Sequence, residues 1–240
     1  MAAHLVQLKS RHDIAAATMA FHLEKPAGFS FKAGQSVDLT LVDPPETDGE
    51  GNTRAFSLAS APYEDDLIVA TRLRNTAFKR VFRSVPLGTE VKIDGPFGNM
   101  TLHNNASKPA VFLTGGIGIT PFRSIVLQAA REKRPHRLLL FYSNHRPEDA
   151  AFLAELEHAG KDNPNYKMIG TMTRLAASDH GWKGEVGHIQ RGMLENVVPD
   201  LMAPVYYVAG PPVMVAAMHT MLNESGVDDD NIRIEEFSGY

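Results

Sequence analysis

The 240-residue chain contains no cysteine. It forms no disulfide bond, so nothing in the sequence points to an oxidising compartment. It also lacks the thiolates that hold most iron–sulfur clusters. If the chain takes part in electron transfer, any cluster on the path must therefore belong to another protein.

Long apolar runs and a surplus of basic residues are also missing. No apolar run approaches the ~20 residues that cross a bilayer, which predicts no membrane insertion. The formal net charge of -4 argues against a general nucleic-acid binder. The apolar stretch Ile14–Leu23 contains Thr18 and His22, and no clear cleavage site follows it. We interpret it as a β-strand rather than a signal peptide, and we expect a cytoplasmic location.

The sequence carries no sign of metal or hydrolase chemistry either. The 10 histidines are scattered, and neither HExxH nor another paired ligand spacing occurs. This pattern predicts no metal site. A Gly-x-Ser-x-Gly elbow for a nucleophilic serine is absent as well. We interpret His136, His145, His158, His180 and the single Trp182 as surface or structural residues.

The pattern of the sequence changes near residue 105. Before this point, short runs of alternating or β-branched residues are bounded by turn formers, which is typical of a small antiparallel barrel or sandwich. Ala77–Ser84 is an exception, because its apolar residues recur at helical spacing. The polar segment Asp43–Asn52 is expected to be an exposed loop to which no chemistry need be assigned.

After Lys108, apolar strands alternate with helical patterns, which predicts a parallel sheet covered by helices. The predicted strands are Ala110–Leu113, Arg137–Tyr142, Tyr166–Thr171 and Val205–Val208, and the predicted helices are Pro121–Arg131, Glu148–Ala159 and one that begins near Pro211. We therefore predict two domains. The first is an antiparallel β-barrel over residues 1–105, and the second is an α/β parallel-sheet domain over residues 106–240.

Two glycine-bearing turns stand between a buried strand and a helix. The first is Thr114–Pro121, and the second is Ala209–Met214. Glycines let the backbone approach a ligand closely, and a helix start favours a phosphate. Because the carboxyl ends of parallel strands meet at one edge of a sheet, both turns should line one crevice. The alternative is two unrelated tight turns without a ligand, and the first turn is not the GxGxxG of ordinary dehydrogenases.

A third motif, Arg54-Ala55-Phe56-Ser57, lies in the β-rich region. An arginine can bind a diphosphate through two parallel hydrogen bonds. Phe56 stands two residues along the strand and faces the same side as Arg54. By itself the tetrapeptide is more commonly a solvated arginine beside a core phenylalanine and a surface serine.

In order along the chain, these motifs resemble those of the ferredoxin–NADP reductase family. The family pattern is completed by Gly95-Pro96-Phe97-Gly98 and by Glu235-Glu236-Phe237 near the C-terminus. The resemblance covers nearly the whole chain. It implies an FAD-binding barrel followed by a domain that binds NAD(P).

The resemblance also implies which residues hold FAD. Arg54 would bind the diphosphate, Phe56 would pack near the flavin, and Ser57 would lie near flavin N5. A second segment, which opens a short helix and here contains Thr76 and Ala77, would also bind the diphosphate. In this chain it lacks the family's usual glycines and serines. The implied FAD-binding residues are Arg54, Ala55, Phe56, Ser57, Arg72, Thr76 and Ala77.

On the nucleotide side, the resemblance assigns both glycine-bearing turns to the pyridine nucleotide. The family often has cysteine before the second turn, where this chain has Ala209. Arg146 and the Thr173-Arg174 pair are candidates for a 2′-phosphate, which favours NADPH and leaves NADH open. The implied contacts are Gly115, Gly116, Gly118, Thr120, Pro121, Arg146, Thr173, Arg174, Gly210 and Pro211.

The C-terminus would supply an aromatic ring over the flavin. The Glu-x-aromatic pattern favours Phe237, and Tyr240 is the alternative. Ser57, Glu235 and Phe237 are the predicted catalytic residues, with Glu235 assisting proton movement near Ser57.

The expected function is an FAD-dependent NAD(P)H oxidoreductase that passes hydride to the flavin and then electrons to a separate carrier such as ferredoxin or flavodoxin. One alternative is a reductase component of a multicomponent oxygenase or other redox complex. Others are a flavin-binding regulatory module without turnover and an enzyme that uses free flavin as its substrate. The oligomeric state cannot be predicted from the sequence.

Overall fold

The computed structural model describes residues 3–175 and 181–237. Its secondary structure forms two six-stranded sheets, one in each half of the chain. In the N-terminal half the elements are β1 (His4–Ala15), β2 (Thr18–Glu24), β3 (Ser36–Leu41), β4 (Thr53–Ser57), β5 (Asp66–Arg72), α1 (Ala77–Ser84) and β6 (Glu90–Phe97).

The N-terminal sheet is antiparallel, with the strand order β4-β3-β6-β1-β2-β5. The backbone amide of Ala59 donates to the carbonyl of Ile68 at 2.8 Å, which joins the chain after β4 to β5 at the other edge. Residues of β3 alternate between buried and half-buried, which is typical of a strand with one face on a core. Helix α1 covers that core, where Phe82 stacks on Phe21 with ring centroids 3.9 Å apart.

One strand prediction in this half is wrong. Ile14–Leu23 is not a single strand, because β1 ends at Ala15 and β2 begins at Thr18. Ala17 has φ 48°, a left-handed conformation that reverses the chain in a hairpin. The apolar run therefore belongs to two paired strands, and its sequence contains no glycine or asparagine to mark the turn.

The C-terminal sheet has the order β10-β9-β8-β7-β11-β12, and its strands are parallel. The strands are β7 (Ala110–Gly115), β8 (Leu138–Asn144), β9 (Tyr166–Met172), β10 (Glu185–Val186), β11 (Val205–Gly210) and β12 (Ile232–Glu236), and the helices are α2 (Thr120–Arg131), α3 (Leu153–Asp162), α4 (Arg191–Glu195) and α5 (Pro212–Glu224). Every residue of β7 and β11 is buried, as expected for central strands with both faces covered.

The two halves share a hydrophobic core. Ala59 and Ile68 of the N-terminal half belong to the same buried cluster as Ile119 and Phe122 of the C-terminal half. The predicted fold class, an antiparallel unit followed by an α/β parallel-sheet unit, is confirmed. The boundary between residues 105 and 106 falls between β6 and β7 and stays a prediction. Among the helices in the described part of the chain, none has the length and apolar character needed to cross a membrane.

Candidate functional site

The first glycine-bearing turn connects β7 to α2. Gly116–Ile119 forms a single 3-10 turn, after which Thr120 opens α2 and donates its hydroxyl to the carbonyl of Ile117 at 3.1 Å. Pro121 lies buried in the first turn of that helix, where a proline costs no backbone hydrogen bond. The chain therefore reverses tightly at the carboxyl end of a central strand.

The second glycine-bearing turn follows β11, the neighbour of β7. Gly210 has φ +154°, in the region that favours glycine, and a Cβ atom there would lie 3.3 Å from the amide nitrogen of Gly115. A Cβ atom on Gly118 would lie 2.5 Å from the carbonyl oxygen of Ala209. The two turns are thus in direct backbone contact.

A crevice of about 510 Å³ opens beside these turns, and we call it the large crevice. Five of its lining residues were predicted site residues, namely Arg72, Gly115, Gly116, Thr173 and Pro211. Apolar side chains make up much of the rest of the wall, which suits a site that encloses a ring. The unpredicted lining residues are Ser143, Asn144, His145, His188, Ile189, Val213, Met214, Ala217 and Met218.

The end of β9 is joined to the end of β8 at this crevice. The amide of Thr173 donates to the carbonyl of Asn144 at 2.9 Å, and the amide of Arg174 donates to the carbonyl of His145 at 2.8 Å. The Nδ1 atom of His145 lies 2.9 Å from the Thr173 hydroxyl. Burial, and after it the Arg174 charge, lowers the pKa of His145 below its ordinary value.

His145 was interpreted from the sequence as a surface or structural residue, and its place in the crevice is a finding of the structure. Arg146 is not among the described residues that line the large crevice. Its Nε atom lies 3.2 Å from a Glu148 carboxylate oxygen and 3.4 Å from one of Asp149. Arg174 does not line the crevice either, but it follows the lining residue Thr173, and its charge acts more strongly on His145 than that of Arg146 does.

A second depression, which we call the inter-sheet cleft, lies between the two halves of the chain and encloses about 80 Å³. It brings together predicted residues that are far apart in the sequence. Lys79 and Ile117 also line it, together with the carboxyl end of β5. The predicted residues in its wall are Arg54, Ala55, Phe56, Ser57, Arg72, Thr120 and Phe237.

Ser57, which lines this cleft, forms a polar contact with Glu235. The buried Ser57 hydroxyl donates to a Glu235 carboxylate oxygen at 2.7 Å. Burial raises the pKa of Glu235, and the Ser57 hydrogen bond offsets part of that rise. The raised pKa brings Glu235 closer to neutral pH, where a carboxyl group can exchange a proton.

Phe237 lines the cleft, and a backbone hydrogen bond fixes its position. Its amide donates to the carbonyl of Gly210 at 3.0 Å, directly after the pairing of β12 with β11. The ring therefore lies between the second glycine-bearing turn and the inter-sheet cleft. Tyr240, the alternative aromatic, lies outside the described residues.

Of the residues assigned to the FAD diphosphate, Arg54 lines this cleft, whereas Thr76 and Ala77 lie at the start of α1, whose Lys79 lines it. Arg54 lies over the Phe78 ring at 5.2 Å, and Thr76 caps α1 by accepting from the Lys79 amide at 3.4 Å. The amide of Ala77 donates to a carboxylate oxygen of Asp48 at 2.9 Å. The donor set fits a diphosphate, because it combines a guanidinium with a helix N-terminus that already holds an anionic group.

Replacing Gly118 by alanine is expected to weaken pyridine-nucleotide binding about tenfold and to lower the free energy of unfolding by about 2 kcal/mol. The added methyl group would meet the backbone of Ala209 and Gly210, which cannot rotate away as a side chain can. Nucleotide titration and urea denaturation would measure the two effects. Gly192→Ala is the control, because nothing lies within 4 Å of its Cβ position. Equal behaviour of both variants would contradict the tight packing of the turns.

Comparison with known proteins places these features in a wider context. A family model described as the oxidoreductase NAD-binding domain matches residues 112–220. The glycine betaine monooxygenase reductase subunit of Chromohalobacter salexigens is 27% identical over 92% of this chain. A component of the Na(+)-translocating NADH-quinone reductase of Klebsiella pneumoniae is 31% identical over 79% of the chain. The chain spans 60% and 50% of the length of these two relatives.

Among solved structures, a ferredoxin NADP+ reductase from Neisseria gonorrhoeae with bound FAD and NADP is similar over the full fold. It superposes with a TM-score of 0.78, covering 98% of each chain at 22% identity. At this identity the likeness establishes the fold of the two units and their arrangement.

Proposed function

We propose that this chain is an FAD-dependent NAD(P)H oxidoreductase. The premise is that its fold is similar to that of a ferredoxin NADP+ reductase and that residues 112–220 match the oxidoreductase NAD-binding domain. One observation carries the proposal. The inter-sheet cleft joins Arg54 and Ser57 of the N-terminal half to Thr120 and Phe237 of the C-terminal half. Residues 1–105 are the proposed FAD-binding unit, and residues 106–240 are the proposed NAD(P)-binding unit.

FAD, when bound, supplies the ability to accept a hydride and to release electrons one at a time. The chain's own residues bind and orient the reactants. Arg54 and the amides that open α1 are the proposed diphosphate site, and Phe237 covers the cleft until a nicotinamide displaces it. Alignment of two bound rings by a rigid frame is itself a large part of such catalysis.

Ser57 and Glu235 have a separate proposed role, which is to move a proton. The 2.7 Å hydrogen bond lets Glu235 exchange a proton with the Ser57 hydroxyl, which faces the cleft. The buried position of Ser57 keeps bulk water from competing for that proton.

The nucleotide would lie along the large crevice. Gly115 and Gly116 would let the protein backbone come close to the nucleotide, and Pro211 with Met214 would line the nicotinamide end of the crevice. We propose NADPH as the preferred nucleotide, because Thr173, Arg174 and His145 cluster at the other end and together offer hydrogen-bond donors and a cation to a 2′-phosphate. NADH is the second candidate, because Glu148 and Asp149 already pair with Arg146.

Arg174→Gln is expected to weaken NADPH binding about tenfold and to leave NADH binding within about twofold, since only NADPH carries the 2′-phosphate. Titration of the protein with each nucleotide would measure this. Arg191→Gln is the matched control, because Arg191 pairs with Glu195 on α4, away from the crevice lining. A parallel loss for both nucleotides would show that Arg174 does not read the phosphate.

The electron acceptor is proposed to be a separate carrier such as ferredoxin or flavodoxin. The proposed location is the cytoplasm, because a chain without cysteine has no disulfide that would point to an oxidising compartment. A second candidate is a reductase component of a multicomponent oxygenase. It is favoured by the similarity of 92% of the chain to a monooxygenase reductase subunit. Activity with ferredoxin alone, compared with activity that requires an oxygenase, would separate the two.

The proposed function is tested by anaerobic stopped-flow mixing with NADPH and NADH in parallel. The purified protein should be yellow, and the nucleotide should bleach the flavin absorbance in a single turnover. A protein that takes up no FAD, or holds FAD that neither nucleotide bleaches, would overturn the proposal. The second result would instead favour a flavin-binding module without turnover.

A further inference from the structure

The loop between β3 and β4 carries four carboxylates, on Asp43, Glu46, Asp48 and Glu50, and we call its segment from Glu46 to Glu50 the acidic loop. Its side chains are largely exposed, and two of them, those of Glu46 and Asp48, pair with residues of α1. Glu46 forms a two-pronged ion pair with Arg80 of α1, with N–O distances of 2.9 and 2.8 Å. Such a bidentate pair fixes the orientation of the carboxylate relative to the guanidinium as well as their distance. The acidic loop is therefore tied to the helix whose first amides belong to the proposed diphosphate site.

Asp48 occupies the N-terminus of that helix. One of its carboxylate oxygens accepts from the Ala77 amide at 2.9 Å, and the other accepts from the Glu50 amide at 3.1 Å. The Ala77 hydrogen bond is the main reason why the pKa of Asp48 lies below its usual range. The group is thus an anion at neutral pH, seated where a phosphate would be stabilised.

Arg54 is drawn to the same loop. Its Nη2 atom lies 2.8 Å from a Glu50 carboxylate oxygen and 3.6 Å from one of Asp48. Its Nη1 atom donates to the backbone carbonyls of Glu50, Gly51 and Thr53 at 2.9, 3.1 and 2.7 Å. The guanidinium therefore faces its own hairpin, and its side chain is only 20% exposed.

We infer that Asp48 and Glu50 are specificity-determining residues for the flavin, because they compete with a diphosphate for Arg54 and for the α1 N-terminus. The inference rests on the proposed function. A flavin with a diphosphate must displace two carboxylates from their donors, whereas riboflavin, which has no phosphate, needs no such displacement. The acidic loop thus lowers the preference for FAD and makes bound FAD exchangeable.

The test compares carboxylate and amide side chains of the same shape. Asp48→Asn keeps an oxygen that can accept from the Ala77 amide, but it removes the charge. We expect this variant to bind FAD about fivefold more tightly, and the Asp48→Asn/Glu50→Gln double variant about tenfold or more. Riboflavin affinity should stay within about twofold for both. Asp43→Asn is the control, because it removes a charge from a residue close after β3 without touching Arg54 or α1.

Flavin-stripped protein is titrated with FAD and with riboflavin, and quenching of flavin fluorescence gives each dissociation constant. Cleavage by a glutamyl endopeptidase after Glu46 or Glu50 gives a second reading, which FAD should accelerate in the wild-type chain. Unchanged or weaker FAD binding by Asp48→Asn would overturn the inference while leaving the proposed function intact. Absence of FAD binding in every chain, the wild type included, would overturn both.

Discussion

Replacing Arg123 by methionine is expected to lower the free energy of unfolding by about 3 kcal/mol and the midpoint of thermal unfolding by about 6–12 °C. Arg123 lies on α2 and is 5% exposed. All five of its N–H groups have partners. Nε and Nη2 donate to Glu155 at 2.7 Å each, Nη1 and Nη2 donate to Glu64 at 2.9 and 3.1 Å, and Nη1 donates to the Ala59 carbonyl at 2.7 Å.

These partners come from both halves of the molecule. Ala59 and Glu64 lie between β4 and β5, whereas Glu155 lies on α3. Methionine would keep the apolar contact with Phe152, over whose ring the guanidinium lies at 5.0 Å. It would remove the Arg123 donor from both carboxylates and from the Ala59 carbonyl, although Glu64 would keep its hydrogen bond from the Ala61 amide. The cost stays near the lower limit for a broken buried pair because the Glu155 side chain is 41% exposed.

Arg131→Met provides the control for Arg123→Met. Arg131 lies at the end of the same helix, over the exposed ring of Tyr63, so its loss should shift the midpoint by no more than about 2 °C. Calorimetry would measure both variants. Because a misplaced domain separates the reactants, Arg123→Met should also slow hydride transfer. A midpoint close to that of the wild type would show that this network does not hold the halves together.

Arg123 also shows where prediction from the sequence stops. The strand β7 and the turn after it could be predicted, because an apolar run followed by glycines and a proline is a local signal. The contacts of Arg123 join residues up to 64 positions apart. In the sequence it is one arginine in an amphipathic helix, and only the fold brings its acceptors together.

One further strand and the contacts of one loop were not predicted, for related reasons. The strand β12 has the sequence Ile-Arg-Ile-Glu-Glu, whose charges do not resemble a parallel strand. It forms because it pairs with β11 at the sheet edge. The acidic loop has the composition of a polar connection, and its role depends on α1, which comes much later along the chain.

The motif residues of the candidate site could be predicted from the sequence, whereas the other residues that line its two cavities could not. Ordered motifs gave a reason to group Ser57 with Glu235, although 178 positions separate them. They gave no reason to include His145 or Lys79, which line the two cavities. A histidine after a strand has many surface explanations, so no local pattern could have selected it.

Ser57→Ala is expected to lower kcat about 100-fold, and Glu235→Gln by a similar factor, if the pair moves a proton as proposed. The two residues share one hydrogen bond of 2.7 Å. Losing either breaks the same path, so the double variant should be little slower than the single ones. Ser84→Ala is the control, because it removes a serine hydroxyl that donates to the Val81 carbonyl on α1. Losses that multiply in the double variant would show independent roles.

The pH dependence of Glu235→Gln separates this role from a merely structural one. Burial raises the pKa of Glu235, so the folded protein binds its proton more tightly than the unfolded chain does. The wild type therefore loses stability as pH rises from the unfolded value of about 4.3 through the raised value in the fold. Glutamine does not titrate, so Glu235→Gln should be as stable as the wild type or more stable at about pH 8, and this advantage should disappear below pH ~4.

Turnover of the wild type should fall as pH drops through the raised pKa of Glu235, because the carboxylate is the proton acceptor. The Glu235→Gln variant should show no such fall. A variant that is both slower and less stable in mildly alkaline buffer would contradict the proton-transfer role and identify Glu235 as a structural partner of Ser57.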